Sequence, residues 1–284
     1  MTAAADTLRV KGRRAPFGAR VWAGVRHHTL TVVAGLGFAY LLLPIAVVIL
    51  FSFNDPAGRR NLTWQGFTLD NWTNPFGFPD LRAAVELSLQ IAALSSIFAT
   101  ALGMMIALSL VRYDFRGRGA TNLLIFLPMA TPEIVMGSSL LTLFLNYSFP
   151  LGFTTILIAH IMFNISYVVV TVRARLVGFD RHLEEAAMDL YSNPWSTFLR
   201  VTLPLIAPGV LAAGLLSFAL SVDDFVITYL VSGSETTFPL FVWGAARIAV
   251  PPQINVIGSA IFLVAVGLML ANVLWQRRRT LKGA

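Results

Sequence analysis

Long stretches without a charged side chain constrain the fold of this chain more than any other feature of its sequence. They cover residues 29–54, 87–111, 134–172 (with the single histidine His160), 201–222 and 248–276. Each reaches the roughly 20 apolar residues that an α-helix needs to cross a bilayer. Only 12% of all residues are charged, which is about half the share found in soluble domains. The sequence therefore predicts an all-α polytopic membrane protein rather than a β-barrel, whose strands alternate over about ten residues.

Six membrane spans account for these stretches. The stretch 134–172 is too long for one helix, because it would extend about 58 Å at 1.5 Å per residue, against a hydrocarbon core of about 30 Å. The turn-forming segment 146–152 divides it into two spans joined by a tight hairpin. The predicted transmembrane domain 29–276 has spans at 29–53, 83–111, 121–145, 153–176, 203–231 and 254–276. The first is too long for the apolar region of a signal peptide, so we expect it to be retained.

The distribution of Lys and Arg predicts which side of the membrane each loop faces. The segment 1–28, the loops 112–119 and 177–202, the adjoining end of the fourth span and the tail 277–284 carry all but four of the 21 Lys and Arg residues. The exceptions are Arg59, Arg60, Arg82 and Arg247. Positive residues concentrate in cytoplasmic segments, so we expect both termini in the cytoplasm. This asymmetry also explains the net charge of +7 without invoking a nucleic-acid partner.

The sequence contains no pattern typical of catalysis, metal binding or cofactor binding. Cysteine is absent, which excludes disulfides, thiolate catalysis and Cys-based metal sites. Lys11 and Lys282 are the only lysines, and neither lies in a glycine-rich phosphate-binding loop, so the sequence offers no nucleotide-binding motif of that kind. The four histidines are scattered. For His160 we predict a hydrogen-bonded packing role, with a place in a polar pathway through the membrane as the alternative.

The cytoplasmic loop carries the most informative segment, residues 181–204. Its first half has apolar residues on one face at helical spacing, namely Leu183, Ala186, Ala187 and Leu190. Asn193 is a favourable N-cap and Pro194 a favourable first helical residue, so a second helix is predicted to begin there and to lead into the fifth span. From these residues alone, the loop could also be an amphipathic helix lying on the membrane surface.

The same segment resembles the EAA motif of the permeases of ABC importers. The match consists of Glu185-Ala186-Ala187, Tyr191 after three further residues, and the run 201–204 (VTLP) after nine more. In that family the position of Tyr191 is usually glycine and that of Val201 is usually isoleucine. Glycine reaches positive φ and tyrosine rarely does, so we expect the turn at Tyr191 to differ in backbone geometry from that of the family.

The resemblance implies a function and a set of partners. The loop would be a coupling helix that docks into a groove of a cytoplasmic ATP-binding subunit, with Glu185 offering a carboxylate to a basic group there. The residues expected at this contact are Glu184, Glu185, Ala186, Ala187, Asp189, Tyr191 and Pro194. The fold would be that of a type I (MetI-like) ABC importer permease in the bacterial plasma (inner) membrane. Two ATP-binding subunits, a second permease subunit and an extracytoplasmic substrate-binding protein would complete the importer.

Four acidic residues lie within the predicted spans, all in the outer half of the membrane: Glu86, Glu133, Asp223 and Asp224. Ionisable residues are costly in a bilayer, so these are candidates for a substrate pathway. Acids that line an aqueous path without nearby basic residues attract cations. Because adjacent helical residues point about 100° apart, the two aspartates cannot both face one pore axis.

Further segments resemble the polyamine branch of the same family, the spermidine/putrescine permeases. They are 127–137 (LPMATPEIVMG), 221–233 (SVDDFVITYLVSG), 237–240 (TFPL) and 251–255 (PPQIN). The resemblance implies a polyamine substrate, and the intramembrane acids agree with a cationic one. The alternatives are a permease of this class for an iron complex, thiamine or an opine-like compound, a proton- or sodium-coupled secondary transporter, or a membrane enzyme. A secondary transporter would have no use for the coupling loop.

Overall fold

The fold was analysed in a computed structural model, which describes the backbone of residues 17–282 apart from Arg59, Arg181 and Ala249. Side chains are described from residue 29 to residue 267, with the same gaps, and at Leu270. The predicted basic segment 1–28 lies largely outside the described residues, and so do the side chains of the tail 277–284.

The described chain consists of helices and loops. The helices are α1 (Phe17–Phe51), α2 (Asp70–Thr73), α3 (Pro79–Arg112), α4 (Arg118–Ala130), α5 (Glu133–Asn146), α6 (Phe153–Val177), α7 (His182–Asp189), α8 (Pro194–Thr197), α9 (Leu203–Asp223), α10 (Val226–Val231), α11 (Phe238–Ile248) and α12 (Pro252–Lys282). A π-helical segment, Phe198–Thr202, joins α8 to α9. Within the described residues, the only β-type pairing is an isolated bridge between Asn54 and Phe67.

Two predicted spans are interrupted. The span predicted at 121–145 is divided between α4 and α5, which meet at an angle of 109°. Pro132 is the cause, because a proline disfavours helical backbone in the residue before it, and Thr131 is extended with ψ 133°. The span predicted at 203–231 ends at Asp223, since Asp224 is also extended with ψ 123°, and α10 begins separately.

The number of spans stays a prediction. Among the described residues, four helices are long and apolar enough to cross a membrane, or five if the bent pair α4 and α5 counts as one span. They are Thr29–Phe51 within α1, Pro79–Arg112, Phe153–Val177 and the continuous helix Pro194–Asp223. The described apolar part of α12, Pro252–Gly267, is shorter.

The chain divides into two compact units. The first contains α1, α2 and most of α12, together with the loop segment Thr63–Thr73. In that unit Asn54 organises the loop that follows α1, because its side chain bonds to the carbonyl of Thr63 at 2.8 Å and to the amide of Gln65 at 2.8 Å. Phe53 stacks between Phe67 and Trp72, with ring centroids 5.6 and 5.4 Å apart.

The second unit, Gly58–Leu62 with Asn74–Ile254, contains the helical core. Its centre is formed by α3, α6 and α9, whose buried residues include Ala99, Val168 and Ala213. A second cluster joins α5, α6 and α10 through Leu140, Ile156 and Ile227. Close approach needs glycine: a Cβ on Gly103 would lie 2.6 Å from a side-chain carbon of Val168 on α6. One on Gly137 would lie 3.4 Å from the Cα of Ile227, so α5 and α10 touch at this point.

Candidate functional site

The turn between α7 and α8 is a helix C-cap with a left-handed residue. The amide of Ser192 bonds to the carbonyl of Ala187 at 3.2 Å, and the amide of Tyr191 to that of Met188 at 2.9 Å. These are the two bonds of a Schellman motif, in which Tyr191 takes the position that glycine usually holds. Tyr191 has φ 62°. The capping bonds thus hold this tyrosine in the left-handed conformation that glycine favours, although tyrosine rarely adopts it.

The start of the second helix is confirmed. Pro194 is the first residue of α8, and the side chain of Asn193 accepts a hydrogen bond from the amide of Ser196 at 2.7 Å. From there the helix continues without a break through the π-helical segment into α9. The loop is thus connected directly to a long helix of the core.

One side of the loop is exposed and combines acidic with apolar side chains. We call it the docking surface and define it as Glu185, Ala186, Asp189, Leu190, Tyr191 and Trp195, all of which are exposed. The Glu185 side chain is 62% exposed, and Tyr191 is 99% exposed. His182 lies 3.1 Å from the Glu185 carboxylate, and both are exposed. Ala187 is half-buried, whereas Pro194 is exposed.

Glu184 points the other way. Its side chain is only 14% exposed and is bonded to the guanidinium of Arg112 at the end of α3 and to the hydroxyl of Thr202. A pocket of about 240 Å³ opens beside these groups and is lined also by Met188, Pro194 and Phe198. Glu184 was expected at the same contact as Glu185 and Asp189, but in the structure it already has partners within the chain.

Asp224 is buried in a hydrogen-bonded network at the break between α9 and α10. Its side chain is 6% exposed and accepts hydrogen bonds from the amide and the hydroxyl of Thr228, at 2.8 and 2.7 Å. The Nε2 atom of His160 on α6 lies 3.3 Å from the same carboxylate oxygen and 2.9 Å from the Thr228 hydroxyl. The Nδ1 atom lies 2.6 Å from the hydroxyl of Ser221, which also bonds to Ser95 at 3.0 Å.

The donors and acceptors of this network can be assigned consistently if the imidazole of His160 is neutral. The Ser221 hydroxyl then donates to Nδ1, Nε2–H donates to the Thr228 hydroxyl, and that hydroxyl donates to the Asp224 carboxylate. Each hydroxyl donates once and accepts once. The network connects α6 to both sides of the helix break. His160 therefore has the hydrogen-bonded environment that a packing role requires.

The other three acids differ in their surroundings. Glu86 forms an ion pair with Arg82 at 2.7 Å on an exposed part of α3. Glu133, the first residue of α5, and Asp223, the last residue of α9, are both exposed. Among the described residues neither of these two side chains has a hydrogen-bond or ion-pair partner. The structure thus separates two partnered acids from two that face away from the chain.

Sequence reasoning did not foresee two parts of this arrangement. The pairing of Arg112 with Glu184 joins residues 72 positions apart and leaves no local pattern. The spacing of Asp224 and Thr228 did offer a signal, because a residue just before a helix can accept an amide from its first turn. No group of three His, Cys, Asp or Glu side chains suited to a metal ion occurs in the part of the chain that the structure describes.

Comparison with known proteins identifies the family to which this helical membrane domain belongs. Residues 99–278 match the family described as binding-protein-dependent transport system inner membrane component. The spermidine/putrescine transport system permease protein PotC of Escherichia coli K12 is 37% identical over 244 residues, which cover 86% of this chain and 92% of PotC. The putrescine transport system permease protein PotI of that strain is 37% identical over 253 residues, covering 86% and 89%. The chain belongs to this family of ABC importer permeases and, as a transport subunit, is not itself a catalytic enzyme.

Solved structures confirm the expected fold. A chain of a bacterial ABC transporter that imports the acidic polysaccharide alginate aligns with a TM-score of 0.64 at 15% identity, covering 91% of this chain and 99% of that one. A chain of an amino acid ABC transporter aligns with a TM-score of 0.53 at 16% identity, covering 74% and 96%. At these identities the likeness shows the fold alone. The predicted type I importer permease architecture is thereby confirmed.

Proposed function

We propose that this chain is one of two permease subunits of an ABC importer for polyamines such as spermidine and putrescine. The observation that carries the proposal is the 37% identity, over 86% of the chain, to permeases named for these substrates. On this proposal the chain lies in the bacterial inner membrane with both termini in the cytoplasm. A binding protein delivers substrate from outside, and ATP is bound and hydrolysed by two copies of a separate subunit.

The docking surface supports coupling to the ATP-binding subunit. A fully exposed aromatic residue beside exposed carboxylates is the composition expected of a protein contact with an apolar centre and a polar rim. The small side chain of Ala186 leaves room for close approach, and Glu185 offers an accessible carboxylate. We assign the contact to the docking surface together with Ala187 and Pro194, and we assign Glu184 a different role, described below.

Exposure and the presence or absence of a partner together decide between the four acids. A charged side chain that faces lipid is costly, so an exposed acid within a span is expected to face an aqueous path or a neighbouring subunit. Glu133 and Asp223 meet this condition without a partner among the described residues, whereas Asp224 and Glu86 have partners within the chain. We therefore assign the substrate pathway to Glu133 and Asp223. Two carboxylates on the outward side would attract a polyamine cation and repel anions.

The face of α5 that points away from the rest of the chain supports the same substrate pathway. Ser138, Ser139 and Thr142 are exposed, and each hydroxyl donates to a backbone carbonyl four residues earlier, at 2.6, 2.7 and 2.9 Å. The opposite face of α5 is buried against the chain. The exposed residues of α5 also include Ile134 and Leu143, so this helix presents a mixed polar and apolar surface that begins with an exposed glutamate.

Uptake by cells with and without the gene tests the substrate. Cells that lack any other polyamine importer are given labelled spermidine, labelled putrescine and a neutral sugar. We expect polyamine uptake alone to disappear with the gene. Unchanged polyamine uptake would refute the substrate and leave the family assignment intact.

Variants of the two exposed acids test the pathway. We expect Glu133→Gln and Asp223→Asn each to lower polyamine uptake about tenfold, because a charged path raises the local concentration of its substrate by that order or more. Glu86→Gln, which alters an acid already paired with Arg82 on the surface, is the matched control and should leave uptake near that of the unaltered protein. Equal uptake by all three variants, at equal amounts of protein in the membrane, would contradict the assignment.

A further inference from the structure

Three side chains from separate parts of the chain meet beneath the docking surface, and we propose that they form a mechanical brace. The brace consists of Arg112, Glu184 and Thr202. Its role would be to make the coupling helix α7 move as one body with the cytoplasmic ends of α3 and α9. The proposal rests on the proposed function, because it takes the force on α7 to come from an ATP-binding subunit.

The geometry of the brace joins three elements at one carboxylate oxygen. Arg112 is the last residue of α3, Glu184 lies in the first turn of α7, and Thr202 ends the π-helical segment. The guanidinium and the hydroxyl both donate to Oε1 of Glu184, and the guanidinium also lies 3.3 Å from the hydroxyl. The side chains of Arg112 and Glu184 are 22% and 14% exposed. A charged pair that is mostly withdrawn from water holds a defined geometry better than an exposed one does.

The π-helical segment contributes to this arrangement. The amide of Leu203 bonds to the carbonyl of Phe198, five residues earlier, so this turn contains one residue more than an α-helical turn. Such turns are rare in proteins, and many of those known lie at functional sites. Some hydroxyls in the long helices, for example those of Ser109 and Thr171, bond to carbonyls of their own helix. The hydroxyl of Thr202 instead donates to Glu184.

The coupling helix needs such an attachment because packing alone holds it weakly. None of the residues of α7 is buried. Glu184 and Glu185 are adjacent, yet one points into the chain and the other away from it. The inward carboxylate is thus placed to carry to two core helices any displacement that a partner imposes on the outward face. Without the brace, α7 would tilt under load while α3 and α9 stayed in place.

The first test separates transport from ATP hydrolysis in the complex reconstituted in lipid vesicles. We expect Arg112→Gln and Thr202→Val to retain binding of the ATP-binding subunit and its hydrolysis of ATP, since neither residue belongs to the docking surface. Polyamine uptake per ATP hydrolysed should fall about 2- to 30-fold, the range found for residues that carry coupling. The charge swap Arg112→Glu with Glu184→Arg should recover part of that loss. Asp114→Asn, which removes the exposed partner of Arg118 in the adjacent loop, is the matched control and should change nothing.

Two results of this test would overturn the brace. Full coupling in Arg112→Gln would show that the link is not needed. Loss of the ATP-binding subunit from Arg112→Gln would show that this residue belongs to the docking contact instead. If the unaltered complex moves no polyamine, the proposed substrate fails, and the brace is then judged by a measurement that needs no substrate.

That second measurement uses the absence of cysteine from the chain. Spin labels at Leu183→Cys on α7 and at Arg116→Cys in the loop after α3, both exposed positions, report the distance between the two elements in the assembled complex. We expect one narrow distance distribution in the unaltered background and a distribution at least about twice as broad with Arg112→Gln. An unchanged width would overturn the brace whichever substrate is carried.

Discussion

The left-handed backbone at Tyr191 allows a sharp test of how the coupling loop is built. The residue has φ 62°, and its side chain is 99% exposed, so it gains almost nothing from packing within the chain. Replacement by alanine keeps the backbone penalty of an L-residue, whereas replacement by glycine removes it. The two variants differ in backbone preference and hardly at all in side-chain contacts.

The expected difference follows from two opposing contributions. An L-residue in the left-handed region costs roughly 1–2 kcal/mol, and glycine loses about 0.5–1 kcal/mol more conformational freedom than alanine when the turn forms. The difference between these two contributions is about 0–1.5 kcal/mol. The turn should therefore be more stable in Tyr191→Gly than in Tyr191→Ala by about 0.8 kcal/mol, the middle of this difference. Because a free-energy difference of about 1.4 kcal/mol changes an equilibrium constant tenfold, this difference changes the equilibrium constant for opening of the turn roughly fourfold.

Hydrogen exchange measures that equilibrium directly. The amide of Ser192 is bonded to the carbonyl of Ala187 and becomes free to exchange only when the cap opens. We expect this amide to exchange about four times more slowly in Tyr191→Gly than in Tyr191→Ala, with the unaltered protein close to the alanine variant. Equal rates in the two variants, or faster exchange with glycine, would refute the left-handed cap as the determinant of the turn.

Further predictions concern the cap of α8, the packing of α3 and the buried network. Asn193→Ala removes the side-chain cap of α8 and should cost about 1 kcal/mol, seen as roughly fivefold faster amide exchange in its first turn. Gly103→Leu places a side chain where a Cβ already meets α6, so the yield of monodisperse protein should collapse, whereas Gly119→Ala, with open space around it, should be neutral. His160→Leu leaves Asp224 without its imidazole neighbour and should cost about 1–3 kcal/mol, measured as a lower thermal unfolding temperature in detergent.

Much of the helical architecture could be predicted from the sequence, because the bilayer sets simple requirements. Spans need length and the absence of charge, and α3 and α6 cover the predicted 83–111 and 153–176 with only small extensions. The boundary at Asn193 and Pro194 was also predictable, since both residues act through local chemistry. In each of these cases the determinant lies within a few residues of the structure that it produces.

The bend between α4 and α5 shows where such reasoning stops. The predicted span 121–145 has a suitable length and is mostly apolar apart from Glu133, so hydrophobicity alone favours a single helix. Pro132 allows a break, but a proline does not determine the angle. The angle of 109° depends on where α5 can pack, and the contact of Gly137 with α10 lies about 90 residues away in sequence. Tertiary contacts of this kind leave no local pattern.

The two aspartates at the end of α9 show how local and distant contacts together determine the direction of a side chain. Their adjacency already implied that one of them faces away from the pathway, but helical geometry alone does not show which one. The break after Asp223 leaves unpaired amides at the start of α10, and Asp224 is the nearer residue to them. His160, from α6, then fixes the Asp224 carboxylate inward. Asp223 is directed outward as a consequence. On the proposed pathway, the accessible charge at this break is therefore a single carboxylate, and its position depends on the buried one beside it.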